Sequence, residues 1–226
     1  MKKIQILAMI LLFMINNLVY SQSSFRVVDS SPKSSFSKTS SGFYRMSEAK
    51  GKIKRVYYYE KFNNKAIILN VNKKKYKINN FNIDLIDNSF VSKINNDSLF
   101  VFSNLEKAYI NNKEFIKKGN SIYEVLVEGK KVDLKVSFIS FKREEIIDKL
   151  NGKVIKPAHY RIKKEYVLVD KISDKVSNLN KIKKKTILSF IDKKNKKMLI
   201  SYAKKKKLSY RKEKDVEQIL KYYNSL

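Results

Sequence analysis

The sequence predicts an α+β fold, an antiparallel β-meander drawn into a curved sheet and followed by a short helical C-terminal segment. Three observations carry that expectation. Short runs rich in Ile, Val, Tyr and Phe recur every eight to twelve residues from Glu48 onward. Asn and Gly punctuate them, and both residues tolerate the positive φ that tight hairpins need. Near Asn178 the apolar period lengthens from two to between three and four, the pattern of helices that follow strands.

The chain opens on a different signal. Lys2 and Lys3 precede an uncharged apolar run from Ile4 to Ile15, and Val19-Tyr20-Ser21 supplies a small residue where a signal peptidase would cut. Residues 1–21 therefore read as a signal peptide. The apolar core is about a dozen residues long, short of the ~20 that a spanning helix requires, so no transmembrane segment is expected in the mature chain. Lipid attachment after cleavage needs a Cys, and the chain has none. Residues 22–47 hold nine of the serines clustered between Ser23 and Ser41, together with Pro32 and Gly42, and read as a flexible lead.

The body is placed at 48–179. Its strand-forming runs are Val56–Tyr59, Ala66–Leu69, Lys75–Ile78, Leu99–Phe102, Ile122–Val127, Val132–Val136 and Tyr166–Val169. Val132-Asp133-Leu134-Lys135-Val136 alternates apolar and polar residues, which predicts a strand with one wet face. Residues 180–226 form a Lys-rich helical segment on the same domain. Ile187, Leu188, Phe190 and Ile191 suit one short helix, and Met198, Leu199 and Tyr202 a second. Val216, Ile219, Leu220 and Tyr223 make a single apolar stripe on a terminal helix, which must be buried against the sheet.

Charge is the strongest feature of the composition. The formal net charge is +29, and the stretch from Asn180 to the end carries sixteen basic side chains against four acids. Such a surface attracts polyanions, with a strength that falls steeply as salt rises. Lys193, Lys194, Lys196, Lys197, Lys204, Lys205, Lys206 and Lys207 are the candidate contacts with an anionic polymer. Only six of the fifty basic residues are Arg, whereas readers of base sequence favour the Arg fork, so a sequence-specific nucleic-acid role is disfavoured. Tyr57 and Tyr59 share one face if Val56–Tyr59 is a strand, and form a candidate aromatic surface.

The chemistry of catalysis finds little support. With no Cys, one His and five Gly, the chain offers no thiolate or His metal site, no Cys nucleophile and no phosphate-cradling glycine loop. His159 follows Pro157 at a strand start, and no G-x-S-x-G elbow accompanies it. The carboxylate pairs Asp84/Asp87, Glu124/Glu128, Glu144/Glu145 and Asp170/Asp174 lie close in sequence, with nothing to single one out. No catalytic residue, cofactor or metal is expected.

Ala66-Ile67-Ile68-Leu69, Tyr76, and then Phe81-Asn82-Ile83 running into Asp87-x-x-Phe90-x-x-Lys93 form a pattern with the Lys-rich tail from Lys204 to Asn224. In this the chain resembles a family of small exported bacterial (Bacteroidetes-type) proteins of unknown function. The resemblance implies export and a β-rich fold, and brings no catalytic residues.

Two roles follow as expectations. The first is a non-enzymatic secreted or envelope module, in the periplasm or outside the cell, that binds an anionic envelope polymer or another envelope protein through a basic surface. The second is a periplasmic carrier of an apolar, lipid-like ligand in a curved-sheet cavity. An internal apolar pocket would favour the carrier, and a filled core with a charged face the binding module. A hydrolase would instead need two carboxylates about 5 to 9.5 Å apart in one cleft.

Overall fold

A computed structural model describes residues 38–39, 42–46, 54–70, 75–95 and 98–226. The signal peptide expected at 1–21 and most of the Ser-rich stretch lie outside the described residues. In chain order the strands are β1 (Lys38–Thr39), β2 (Gly42–Met46), β3 (Asn64–Asn70), β4 (Lys75–Asp84), β5 (Ser89–Lys93), β6 (Ser98–Phe102) and β7 (Leu105–Ile110). They continue with β8 (Lys113–Lys118), β9 (Ser121–Val127), β10 (Val132–Arg143), β11 (Ile146–Ile147), β12 (Val154–Lys156), β13 (His159–Asp170) and β14 (Val176–Leu179). Among the described residues three helices follow: α1 (Lys184–Ser189), α2 (Lys193–Lys205) and α3 (Glu213–Ser225).

The turns form where the sequence supplies residues that accept left-handed backbone. Asn111 and Asn112 link β7 to β8 with φ of 49° and 64°, the pair of positive values that a two-residue hairpin of matching twist demands. Gly119 does the same work at φ 57° between β8 and β9. Asn88, at φ 47°, closes the β4–β5 turn.

Twelve strands make one antiparallel sheet in the order β1-β2-β6-β5-β4-β3-β7-β8-β9-β10-β13-β14, and β11 and β12 form a small hairpin apart from it. The order is not a single up-and-down succession, because β7 leaves β6 and pairs with β3. Only Ser103 and Asn104 connect β6 to β7, and three Cα steps reach about 11 Å at most. In a flat sheet those two strands, four places apart, would lie about 19 Å from one another. The sheet therefore curls. Strand β4 takes part in the bend: Lys75–Ile78 pair with β3, Phe81–Asp84 pair with β5, and Asn80 between them has a φ of 53°.

Curling closes the apolar faces over one continuous core. Phe81 lies between Phe90 (5.8 Å between ring centroids) and Phe102 (5.4 Å), and Phe115, Ile83 and Ile110 are fully buried beside them. Helix α3 rests on β9 and β10. Its predicted stripe of Val216, Ile219, Leu220 and Tyr223 is buried in the same core, as a helix with one apolar face requires. Helix α2 lies against α3, where Tyr202 and Tyr222 stack at 3.9 Å.

The Asn224 amide fastens α3 to the sheet, and a carboxylate ties α3 to α2. The Oδ1 of Asn224 accepts hydrogen bonds from the backbone N–H of Lys131 (3.0 Å) and Val132 (2.9 Å), and its Nδ2 donates to the carbonyl of Val132. Gly129 must lack a side chain because a Cβ there would strike the Asn224 amide. The Tyr223 hydroxyl donates to Asp192 Oδ2 at 2.9 Å, joining α3 to the residue that caps α2.

Three local expectations change. Val56–Tyr59 is not a strand: Tyr57 makes an isolated bridge to Asp84, and the chain then bends. The fully buried Asn82 takes over the backbone pairing there, accepting from the Tyr59 N–H (3.0 Å) and donating to the Tyr59 carbonyl (2.8 Å). The wet face foreseen for Val132–Val136 is dry at Asp133, which is buried and held by Lys171, Lys135 and the Gly129 N–H. Within 22–47, Gly42–Met46 pairs along β6 as strand β2, satisfying an edge that would otherwise expose its ladder groups.

Candidate functional site

Helix α2 presents lysines by simple periodicity. At about 100° per residue, Lys193, Lys194, Lys197, Lys204 and Lys205 fall on the side away from the buried Leu199 and Ala203. All five are exposed, whereas Lys196 lies on the flank and is half-buried. Between Lys193 and Lys204 the stripe runs for about 17 Å along the helix axis. Lys206 and Lys207 extend it past the helix end, again exposed. Among the described residues none of these eight lysines is ion-paired.

The helix tolerates this arrangement against its own electrostatics. Its first turn contains no acid and three lysines, Lys193, Lys194 and Lys196, where the partial positive charge of the helix N-terminus repels cations. Asp192 alone offsets them. It caps the helix by accepting the Asn195 N–H at 2.9 Å. Hydrogen bonds from the Asn195 side chain and backbone and from Tyr223 hold its carboxyl below the usual range, with Lys131 nearby.

A groove adjoins the stripe. It is open to solvent, has a volume of about 1210 Å³, and is bounded by β13, the β14–α1 connection and the α2–α3 connection. Ile182, Tyr166, Leu208 and Tyr210 supply apolar surface, while Lys163, Lys181, Lys183, Lys184 and Arg211 supply cations. Lys164, which also borders it, is engaged with Glu213 (3.0 Å), and the Tyr166 hydroxyl donates to the same carboxylate at 2.7 Å. Burial opposes the Glu213 charge, but those two donors prevail and keep its carboxyl below the ordinary glutamate value. Among the described residues the buried Tyr210 hydroxyl has no hydrogen-bond partner, and burial pushes its pKa up. The Lys184 ammonium stands 5.6 Å from the centre of that ring. The groove thus combines cationic side chains with apolar surface.

The remaining candidates go to the framework. Tyr57 packs edge-on against Phe62 at 4.7 Å. Tyr59 packs against Tyr58, and its hydroxyl donates to the Ile110 carbonyl. Both are half-buried. His159 begins β13 opposite Arg143, with Nδ1 3.2 Å from the Pro157 carbonyl oxygen. Asp84 and Asp87 both bind Arg55. Glu124 is buried, accepting from the Tyr58 hydroxyl and the Lys113 ammonium at 2.7 Å each, while Glu128 is exposed. Glu144 pairs with Lys142, and Asp170 caps its own turn through the N–H groups of Ile172 and Ser173. Among the described residues no three His, Cys, Asp or Glu side chains stand together as a metal site.

The groove was not legible in the sequence. The run Lys183–Lys185 gave a charge signal, but the approach of Tyr210 and Arg211 to β13 depends on the chain turning back after α2.

No protein-family model matches the chain, and neither the curated proteins nor the solved structures offer a match.

Proposed function

We propose that this chain is a non-enzymatic, exported module of the cell envelope or its surroundings that binds an anionic polymer along the α2 lysine stripe and the adjoining groove. The observation that carries the reading is the row of exposed lysines on one face of α2, continued by Lys206 and Lys207. The acids Asp84, Asp87, Glu114, Glu124, Asp133, Glu144, Glu213 and Glu217 pair with basic side chains, while the lysines of α2 and most cations of the groove have no such partner among the described residues. Placing unneutralised cations in a helix's first turn costs stability, and an external anion repays it. The signal pattern at 1–21 and the resemblance to small exported proteins support the location. The carrier reading has less support, since Phe81, Phe90, Phe115 and their neighbours fill the space enclosed by the sheet.

The test is binding of lipopolysaccharide, an acidic polysaccharide and duplex DNA at about 50 mM and about 500 mM salt, where counterion release separates charge from specific contact. The triple substitution Lys193→Glu, Lys197→Glu and Lys204→Glu should lower affinity at least tenfold for the preferred polymer. With DNA as a calibrated probe, each lysine lost should reduce the slope of log K against log salt by about one. Unchanged affinity in the triple variant would refute the assignment of the stripe.

A further inference from the structure

Strands β10 and β13 pair over twelve residues each, from Val132↔Asp170 to Arg143↔His159. The burial along them is uneven. Val132 to Phe138 are buried apart from Lys135, but from Ile139 on β10 becomes exposed, and nearly every residue from Phe141 to Pro157 lies open to solvent. The outer half of this ribbon thus projects beyond the core, with the β11–β12 hairpin at its tip.

That tip carries apolar side chains outward. Leu150 is 97% exposed, Ile155 67%, Ile146 and Val154 53% each, and Ile147 47%. The turn that presents Leu150 is well built. Asp148 Oδ1 accepts the Leu150 N–H at 2.9 Å, its carbonyl accepts the Gly152 N–H, and its own N–H donates to the Lys153 carbonyl. Asn151 bridges Asp148 and the Lys153 N–H, and Gly152 adopts a φ of 69°. Leu150 is therefore held out by an ordered turn. Five exposed aliphatic side chains within the ten residues from Ile146 to Ile155 make this tip a candidate interaction surface.

Lys149, Lys153 and Lys156 interleave with the aliphatic residues. Across residues 141–163 there are seven Lys and Arg against three acids, and two of those acids are already engaged, Glu144 with Lys142 and Asp148 within the turn. Two strands of two and three residues cannot supply the ~600 Å² per partner that even a small specific protein interface needs. Aromatic and Arg anchors, which dominate such interfaces, are missing between Ile146 and Lys156. Aliphatic side chains flanked by flexible ammonium groups suit a different surface, in which the former enter the acyl boundary while the latter reach lipid phosphates.

We infer that the β11–β12 tip is a membrane-docking device that inserts Leu150 and its aliphatic neighbours into an anionic phospholipid bilayer. The inference is independent of the lysine stripe, and either can fail alone. The chain contains no Trp, so Leu150→Trp gives a single fluorescent probe at the point of contact. With vesicles containing phosphatidylglycerol its emission should shift to the blue and become shielded from an aqueous quencher. Phosphatidylcholine vesicles should have little effect. In the full chain, Leu150→Asp with Ile155→Asp should reduce co-sedimentation with the anionic vesicles at least tenfold, with DNA binding and circular dichroism unchanged. Three results would overturn the inference: water-exposed emission from vesicle-bound protein, a blue shift that depends on protein concentration without vesicles (a second copy as partner), or full vesicle binding by the Asp variant.

Discussion

At the scale of single residues, buried polar groups do the positioning. Asp133 is 3% exposed. Burial alone would raise its pKa, but the Lys171 ammonium, the Gly129 N–H and Lys135 outweigh that and hold the carboxyl below the usual aspartate range. A carboxyl whose pKa is lower in the folded than in the unfolded chain contributes stability above the unfolded value of about 3.9, and that contribution disappears as pH falls through the folded value. Asp133→Asn should therefore be less stable than the parent at pH 7, and the difference should shrink below about pH 4, as followed by urea denaturation across pH. A gap that stays constant with pH would show that the carboxylate charge is immaterial. Asn82 and Asn224 act in the same way without charge. Each hydrogen-bonds backbone groups of a segment distant in the chain.

At the scale of elements, α2 shows a conflict between stability and charge. A helix designed only to be stable would place acids in its first turn, as α3 does with Glu213 and Asp215, and α2 places lysines there. Replacing Lys193 by Glu should stabilise the protein by roughly 0.3–1 kcal/mol at low salt while weakening polyanion binding. Thermal melts paired with a binding titration would check both signs, and a destabilised variant would contradict the electrostatic account. The β10–β13 ribbon has a conflict of another sort. Its inner half is core, its outer half is exposed, and the same pair of strands serves both because ladder hydrogen bonds are satisfied wherever the ribbon goes.

At the scale of the whole molecule, a net charge of +29 over 226 residues makes like-charge repulsion a general cost of the compact state. Raising salt from about 20 to about 200 mM should increase the melting temperature, since the screening length falls to under about 10 Å. A saturating polyanion should increase it further at low salt, and this second effect should fade at high salt as binding weakens. A melting temperature indifferent to both would mean that the lysines neither repel one another nor bind.

Much of this architecture could be read from the residues alone, because local rules govern it. Asn111-Asn112 and Gly119 announce hairpins through backbone conformation, and Val216, Ile219, Leu220 and Tyr223 announce a buried helix face through periodicity. The charged face of α2 follows from the same period. Other features could not be read. Tyr57–Tyr59 has strand propensity but yields its backbone pairing to Asn82, twenty-three residues away from Tyr59. Asp133 sits at a position that alternation assigns to water, yet Lys171 from across the sheet covers it. Pairing of β7 with β3, the groove at Tyr210 and the projection of Leu150 depend on which distant segments meet.

Local pattern thus sufficed for the broad layout of strands followed by helices, for several of the hairpin turns and for the concentration of lysine at the C-terminal end, since each arises from neighbours within a few residues. The curl of the sheet, the pairing of buried acids such as Asp133 and Glu124 with lysines, and an apolar tip standing clear of the core came from the folded arrangement. Those outcomes rest on contacts between residues far apart in the chain, whose energies no local pattern encodes.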